Sequence, residues 1–205
     1  MGCSNCISQP QANANLPGAS IYIKNARGSF IPAEFYNLCK QYTLVISPSA
    51  CDKVSEKSNW LQLLMVKSPA NILVYSGSED SESSEYLDAE AVFWFLSDCL
   101  KVHPSQMILL GREKGCEASC YLIEKYSDIG GLILQHPENS TLTFTVKNLK
   151  SPLLIIHEPK TPDQQEFGRK IYNNCSHHLK NLKIVSIEKY DEVVEQISGF
   201  LTQLA

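Results

Sequence analysis

The chain has 205 residues, 43% of them hydrophobic and 20% charged, with a formal net charge of -4. That composition suits one globular α/β domain with a sizeable core and offers no basic footprint for nucleic acid. Its apolar runs, such as Ala91-Val92-Phe93-Trp94-Phe95-Leu96, fall well short of the roughly 20 residues a membrane-spanning helix needs. No charged segment followed by an apolar stretch marks a secretory leader.

Residues 1–19 carry no charged side chain and no periodicity, and read as a disordered tail ahead of a single domain over 20–205. Removal of Met1 would expose Gly2 for N-myristoylation, although Cys6 stands where Ser or Thr is usual. One myristoyl chain binds membrane with a constant of only about 10⁴ M⁻¹, so a second anchor is required. The tail has no polybasic cluster, which leaves palmitoyl groups on Cys3 and Cys6 to supply it. The expected location is the cytoplasmic face of a membrane, or the soluble cytoplasm if the tail is unmodified.

The body opens with a hairpin, Ser20–Lys24 and Ser29–Phe35, around the turn Asn25-Ala26-Arg27-Gly28. Tyr42–Ser47 is an apolar strand ended by Pro48. Asn59–Val66 suits a short buried helix and Asn71–Tyr75 another strand. A polar acidic loop over 76–85 reads as solvated surface, without the spacing of a calcium loop. Tyr86–Val102 reads as a helix, Ile129–Gln135 as a strand, and Glu138–Lys150 as a polar connection. Leu153–His157 is a strand, Asp163–Cys175 a helix and Lys183–Ile187 the last strand. Asp191–Ala205 is a helix with Val193, Val194, Ile197, Phe200, Leu201 and Leu204 on its apolar face. Short apolar strands alternating with amphipathic helices indicate a mostly parallel sheet with helices on both faces. In such sheets ligands sit beyond the carboxyl ends of the strands.

The eight cysteines are scattered: Cys3, Cys6, Cys39, Cys51, Cys99, Cys116, Cys120 and Cys175. In a cytosolic chain they stay reduced. Cys3 and Cys6 form one C-x-x-C with no second pair, so no zinc site is expected. No metal and no cofactor is expected elsewhere.

The chain is organised around Gln106–Tyr126. The run Met107-Ile108-Leu109-Leu110 meets Gly111-Arg112-Glu113-Lys114-Gly115, and small residues Cys116, Ala118, Ser119 and Cys120 follow. That is a strand, a sharp turn and a helix. With serine at 113 it would read G-x-S-x-G, a nucleophile elbow. Together with Thr43–Ser47, Asp88–Ala91, Pro104–Gly111, Gly130–Pro137 and Ser151–His157, this order resembles the α/β-hydrolase superfamily. It is most similar to the membrane-anchored α/β-hydrolase-domain protein depalmitoylases. The resemblance implies a three-layer α/β-hydrolase-like fold with its lid region nearly absent, and a lipidated cysteine-bearing N-terminus.

The residues the resemblance would make catalytic are replaced. The family's strand ending S-H-G is here Ser47-Pro48-Ser49. Proline lacks the N–H that an oxyanion hole needs, so Pro48, Ser49 and Lys114 are at most a remnant of one. The elbow serine is Glu113, the expected acid falls on Thr161, and the expected histidine falls on Lys189 or Tyr190. A displaced site would have to use Glu113, His136, His157 or Asp163. His103, His177 and His178 precede strands and lie on the wrong side of the sheet. For Glu113 the plain expectation is a solvated carboxylate between Arg112 and Lys114. For His136 and His157 it is a surface or turn histidine, and for Cys116, Ser119 and Cys120 close packing on the sheet. Gly111 and Gly115 are expected to serve that packing.

The expectation is thus a degenerate, catalytically inactive member tethered to a membrane, which binds a lipidated protein or an acyl chain. The alternative is an active serine-hydrolase-type esterase, thioesterase or depalmitoylase with a rearranged site. Nothing in the sequence fixes the oligomeric state.

Overall fold

A computed structural model describes residues 6–7, 18–47, 59–76, 82–138, 142–158, 162–186 and 189–204, with backbone only at 6, 7, 82–84, 144 and 162–165. The strands are β1 (Cys6–Ile7), β2 (Gly18–Lys24), β3 (Phe30–Tyr36), β4 (Tyr42–Ser47), β5 (Ala70–Tyr75), β6 (Met107–Arg112), β7 (Gly131–Gln135), β8 (Leu153–His157) and β9 (Lys180–Ile184). The helices are α1 (Asn59–Lys67), α2 (Glu82–Trp94), α3 (Gly115–Lys125), α4 (Leu142–Thr145), α5 (Pro162–Asn174) and α6 (Tyr190–Leu204). One sheet holds the described strands in the order β1-β2-β3-β5-β4-β6-β7-β8-β9. β1, β2, β3 and β5 pair antiparallel, and every pair from β5 to β9 is parallel.

The central strands are mostly apolar on both faces because both are covered, with polar residues such as Thr43, Ser47, Asn71 and Gln135 near their ends. Successive residues point to opposite sides. Val45, Leu73, Leu109, Leu134 and Ile155 face one cluster with α2, α3 and α5. Leu44, Ile46, Ile72, Leu110, Ile133 and Ile156 face a second cluster with α1 and α6. The expected three-layer, mostly parallel α/β architecture is the one observed. In α6 the spacing of Val193, Val194, Ile197, Phe200 and Leu201 places all five in the second cluster. Asp191 and Glu192 lie in its first turn, where the helix dipole favours negative charge.

Five local features differ from the sequence expectation. α2 begins at Glu82, inside the acidic stretch over 76–85 expected to be a loop. The expected helix to Val102 changes character at Trp94 and ends in a π-helical turn, Phe95–Cys99, with Leu100 N–H donating to the Phe95 carbonyl at 3.2 Å. The polar stretch 138–150 contains α4 and a 3₁₀ turn, Val146–Asn148, because Leu142 and Val146 are buried. The last strand begins at Lys180, three residues early. The Lys180 ammonium donates to the Tyr172 and Cys175 carbonyls near the end of α5, at 3.0 and 2.6 Å, which anchors the chain as it enters β9. At the other end, Gly18 and Ala19 belong to β2, and Cys6–Ile7 add a two-residue strand to its outer edge. A short uncharged pair can cap an edge that has free main-chain groups, without any periodic signal.

The hairpin turn is held from its side. Asn25 Oδ1 accepts from the N–H groups of Arg27 and Ser29, each at 3.0 Å, and its Nδ2 donates to the fully buried Asp88 of α2 at 2.7 Å. Gly28 takes a φ of 88° in that turn.

Candidate functional site

The turn after β6 has the geometry of an elbow. Glu113 sits at φ 50°, a left-handed conformation costly for a residue with a β-carbon. Its N–H donates to the Gln135 carbonyl at 2.8 Å, and its carbonyl accepts from Cys116 N–H at 3.1 Å as α3 begins. Gly111 is required by close approach. A β-carbon there would lie 2.5 Å from Cys116 Cα and 2.7 Å from the Gly115 carbonyl oxygen. Gly115 is buried as the first residue of α3. The absence of a side chain at Gly111 therefore permits the close contact between β6 and α3.

Glu113 is not the fully solvated carboxylate anticipated; it is half-buried, while Lys114 is exposed. The Arg112 guanidinium lies over the Trp60 ring of α1, 4.4 Å from its centroid. It therefore packs across the second helical layer as well as carrying charge beside the elbow.

His136 and His157 follow β7 and end β8, on the same side of the sheet as the elbow. Both are buried rather than on the surface, at 9% and 5% exposed, and His136 sits in the bend after β7. Their rings lie 5.6 Å apart between centroids, inclined at 46°. His136 takes a φ of 54° and donates its N–H to the Ile156 carbonyl at 2.9 Å. Gly168 of α5 lies against His157, and a β-carbon there would stand 3.0 Å from His157 Cδ2. His103 caps the 3₁₀ turn before β6, and His177 and His178 precede β9, all at amino ends as expected.

The candidate nucleophiles on α3 are enclosed. Cys116 is fully buried, its thiol donating to the Gly111 carbonyl at 3.2 Å, and desolvation pushes its pKa well up. Burial raises the Cys120 thiol likewise. Ser119 is fully buried and donates to Ser47 Oγ at 3.1 Å, and the Tyr75 hydroxyl donates to the same oxygen at 2.9 Å. This chain of hydroxyls joins the carboxyl ends of β4 and β5 to α3. The sequence offers one clue to it: Ser47 and Tyr75 are polar-tipped residues that end the apolar runs Leu44–Ile46 and Ile72–Val74.

Lys189 leads into α6, where its ammonium pairs with Glu192 Oε1 at 2.7 Å. Asp163 lies on the first turn of α5 by its backbone. Gly2, Cys3, Pro48, Ser49 and Thr161 lie outside the described residues. Among the described residues no cluster of three or more His, Cys, Asp or Glu is arranged to hold a metal ion, and no helix is long and apolar enough to cross a membrane.

The cysteines differ from the reduced state expected. Cys39, Cys116, Cys120 and Cys175 are free thiols, whereas the sulfur of Cys99 is in a disulfide.

No protein-family model matches the sequence, and no curated protein matches it. Solved structures do match. An esterase of Pyrococcus furiosus superposes with a TM-score of 0.76 at 11% identity, over 97% of this chain and 100% of its own. A hydrolase of Vibrio vulnificus, described as an alpha-beta hydrolase, gives 0.74 at 14% identity, over 95% and 83%. A CIB-like hydrolase of Thermoplasma acidophilum gives 0.70 at 17% identity, over 91% and 98%. The chain has the α/β-hydrolase fold. Likeness at such identities concerns the α/β-hydrolase framework alone; the chemistry has to be argued from the residues that occupy it.

Proposed function

We propose that this is a catalytically silent α/β-hydrolase-fold protein, a degenerate relative of the membrane-anchored depalmitoylases that its sequence resembles. It works by binding a lipidated protein or an acyl chain. Acyl groups on Gly2, Cys3 and Cys6 hold it at a cytoplasmic membrane face. One observation carries the reading: the elbow turn survives, yet Glu113 occupies its apex and the nearby hydroxyl and thiols of Ser119, Cys116 and Cys120 are sealed in the core. Nucleophilic catalysis needs an accessible nucleophile within reach of a base; a carboxylate at this apex meets that need only with a histidine after the last strand, where Lys189 and Tyr190 stand instead. The replacement of the expected acid by Thr161 and of the expected histidine by Lys189 supports the same reading.

The test is a fluorophosphonate probe together with p-nitrophenyl esters of graded chain length. The expected result is no labelling and no turnover above a boiled control. Membrane attachment is tested by fractionation. The wild type is expected in the membrane pellet, and G2A and C3S/C6S variants in the supernatant.

A second reading draws on the buried pair His136 and His157, which share the carboxyl side of the sheet with Glu113. It makes the chain an ester or thioester hydrolase with a rearranged site. Turnover that E113Q or H136A abolishes would establish it in place of the first.

A further inference from the structure

Cys99 ends the π-helical turn and lines a cavity of about 250 Å³ with Ile23, Lys24, Trp94 and Asp98, beside β2. Its sulfur is in a disulfide. Four cysteines are free thiols, so Cys3, Cys6 and Cys51 remain as partners. Register decides among them. Cys6 stands opposite Ile23 in the antiparallel β1–β2 pair. Residues directly opposite each other in such a pair share a face of the sheet. Ile23 is buried and borders the same cavity as Cys99. Cys3 precedes β1 in the sequence, and Cys51 follows β4, which β5, β3 and β2 separate from β1 in the sheet order.

We infer that Cys6 and Cys99 form a reversible disulfide that clamps the N-terminal tail to the sheet edge and withholds Cys6 from acylation. The clamp rests on the register; the withholding rests in addition on the lipidation reading above. The chemistry balances with glutathione disulfide as oxidant. One cysteine thiolate attacks it, giving a mixed disulfide and releasing one glutathione. The second cysteine then displaces the other glutathione to close the Cys6–Cys99 bond. The two thiol protons leave to solvent, and the two electrons reside in the two glutathiones released. Excess reduced glutathione runs both steps backwards and frees Cys6. Only the free thiol can take an acyl group from an acyl thioester. A cytosolic redox state would thereby set whether the tail carries two anchors or three, each added chain strengthening membrane attachment.

The test uses the full-length protein. Trypsin releases residues 1–24, 41–53 and 68–101, in which Cys99 is the one cysteine of the last. After equilibration with glutathione disulfide and alkylation of free thiols, mass spectrometry is expected to find 1–24 joined to 68–101 in the wild type, C3S and C51S. The joined species is expected to be lost in C6S and C99S. In C3S, biotin-maleimide should label 1–24 only after reduction, and in C3S/C99S it should label without reduction. Absence of the joined peptide, its survival in C6S, or a link between 41–53 and 68–101 overturns the clamp. In cells supplied with an alkyne palmitate analogue, C3S/C99S should carry more label on Cys6 than C3S. Equal label overturns the withholding. No label on either variant overturns the lipidation reading and the withholding with it, while a joined peptide in the same protein still supports the clamp.

Discussion

Gly111 and Cys116 meet backbone to backbone, and a single added β-carbon on Gly111 would stand 2.5 Å from Cys116 Cα. The obstructing atoms are main chain, so no rotamer change can relieve the clash. G111A is therefore expected to cost about 1–3 kcal/mol, the usual range for overpacking a tight core. Urea unfolding of G111A against wild type measures it. An unchanged midpoint would mean that α3 can draw away from β6.

Ser47 Oγ accepts from both Tyr75 and Ser119 inside the core. S47A leaves two buried hydroxyls without that acceptor, which is expected to cost about 1–3 kcal/mol. Y75F and S119A each remove one donor. Because they share one acceptor, Y75F should cost less in the S47A background than in wild type, with a coupling of about 0.5 kcal/mol or more in a double-mutant cycle. Simple additivity would contradict the network.

Asn25 ties the first hairpin to α2 through Asp88. N25A removes the tie and both turn bonds, with an expected loss of about 2–3 kcal/mol since one partner is a carboxylate. N25D keeps the oxygen that serves Arg27 and Ser29 but sets a carboxylate against Asp88. It should therefore be no more stable than N25A. Thermal melts of the two variants would isolate the Asp88 contact, and an N25D as stable as wild type would exclude its importance.

Burial raises the thiol pKa values of Cys116 and Cys120 above their ordinary value of 9.0. In the unfolded chain these thiols ionise near pH 9, while in the fold they stay protonated. The unfolded state therefore binds fewer protons above that pH, and stability falls as pH rises. The full contribution is present below pH 9, and each thiol contributes a slope of about 1.4 kcal/mol per pH unit above it. Denaturation midpoints between pH 8 and pH 10 should decline, and less steeply in C120A. A C120A slope equal to that of wild type would rule out burial of that thiol.

Restoring a hydroxyl at the apex separates loss of a nucleophile from loss of the whole apparatus. E113S is expected to remain unlabelled by fluorophosphonate and inactive on p-nitrophenyl butyrate, because the expected acid and histidine positions hold Thr161 and Lys189. Activity appearing in E113S alone would mean that His136 or His157 already serves as a base.

The sheet was legible because its central strands are buried on both faces and carry short apolar runs, from Leu44–Ile46 to Leu153–Ile156. Gly111 marked the elbow for a similar reason: close approach leaves a composition signal. β9 was shifted because an edge strand with Asn181 and Lys183 half or fully in solvent has a weak pattern. The π-turn left no periodic trace. In the site, Ser47 meets residues 28 and 72 positions away, and His157 is buried by Gly168 on another element. Such contacts follow from strand order and helix docking, which no local window of sequence contains.

β9 closes one side of the sheet and has Ile184 at 56% exposed and Leu179, just before it, at 44%. Lys180 spends its charge on the end of α5, so Lys183 is the exposed lysine within that strand. A lysine on an open edge discourages two molecules from zipping together strand to strand. Colloidal behaviour at high concentration therefore leans on one ammonium group, and K183T should shorten the time to light scattering well before it alters the folded structure.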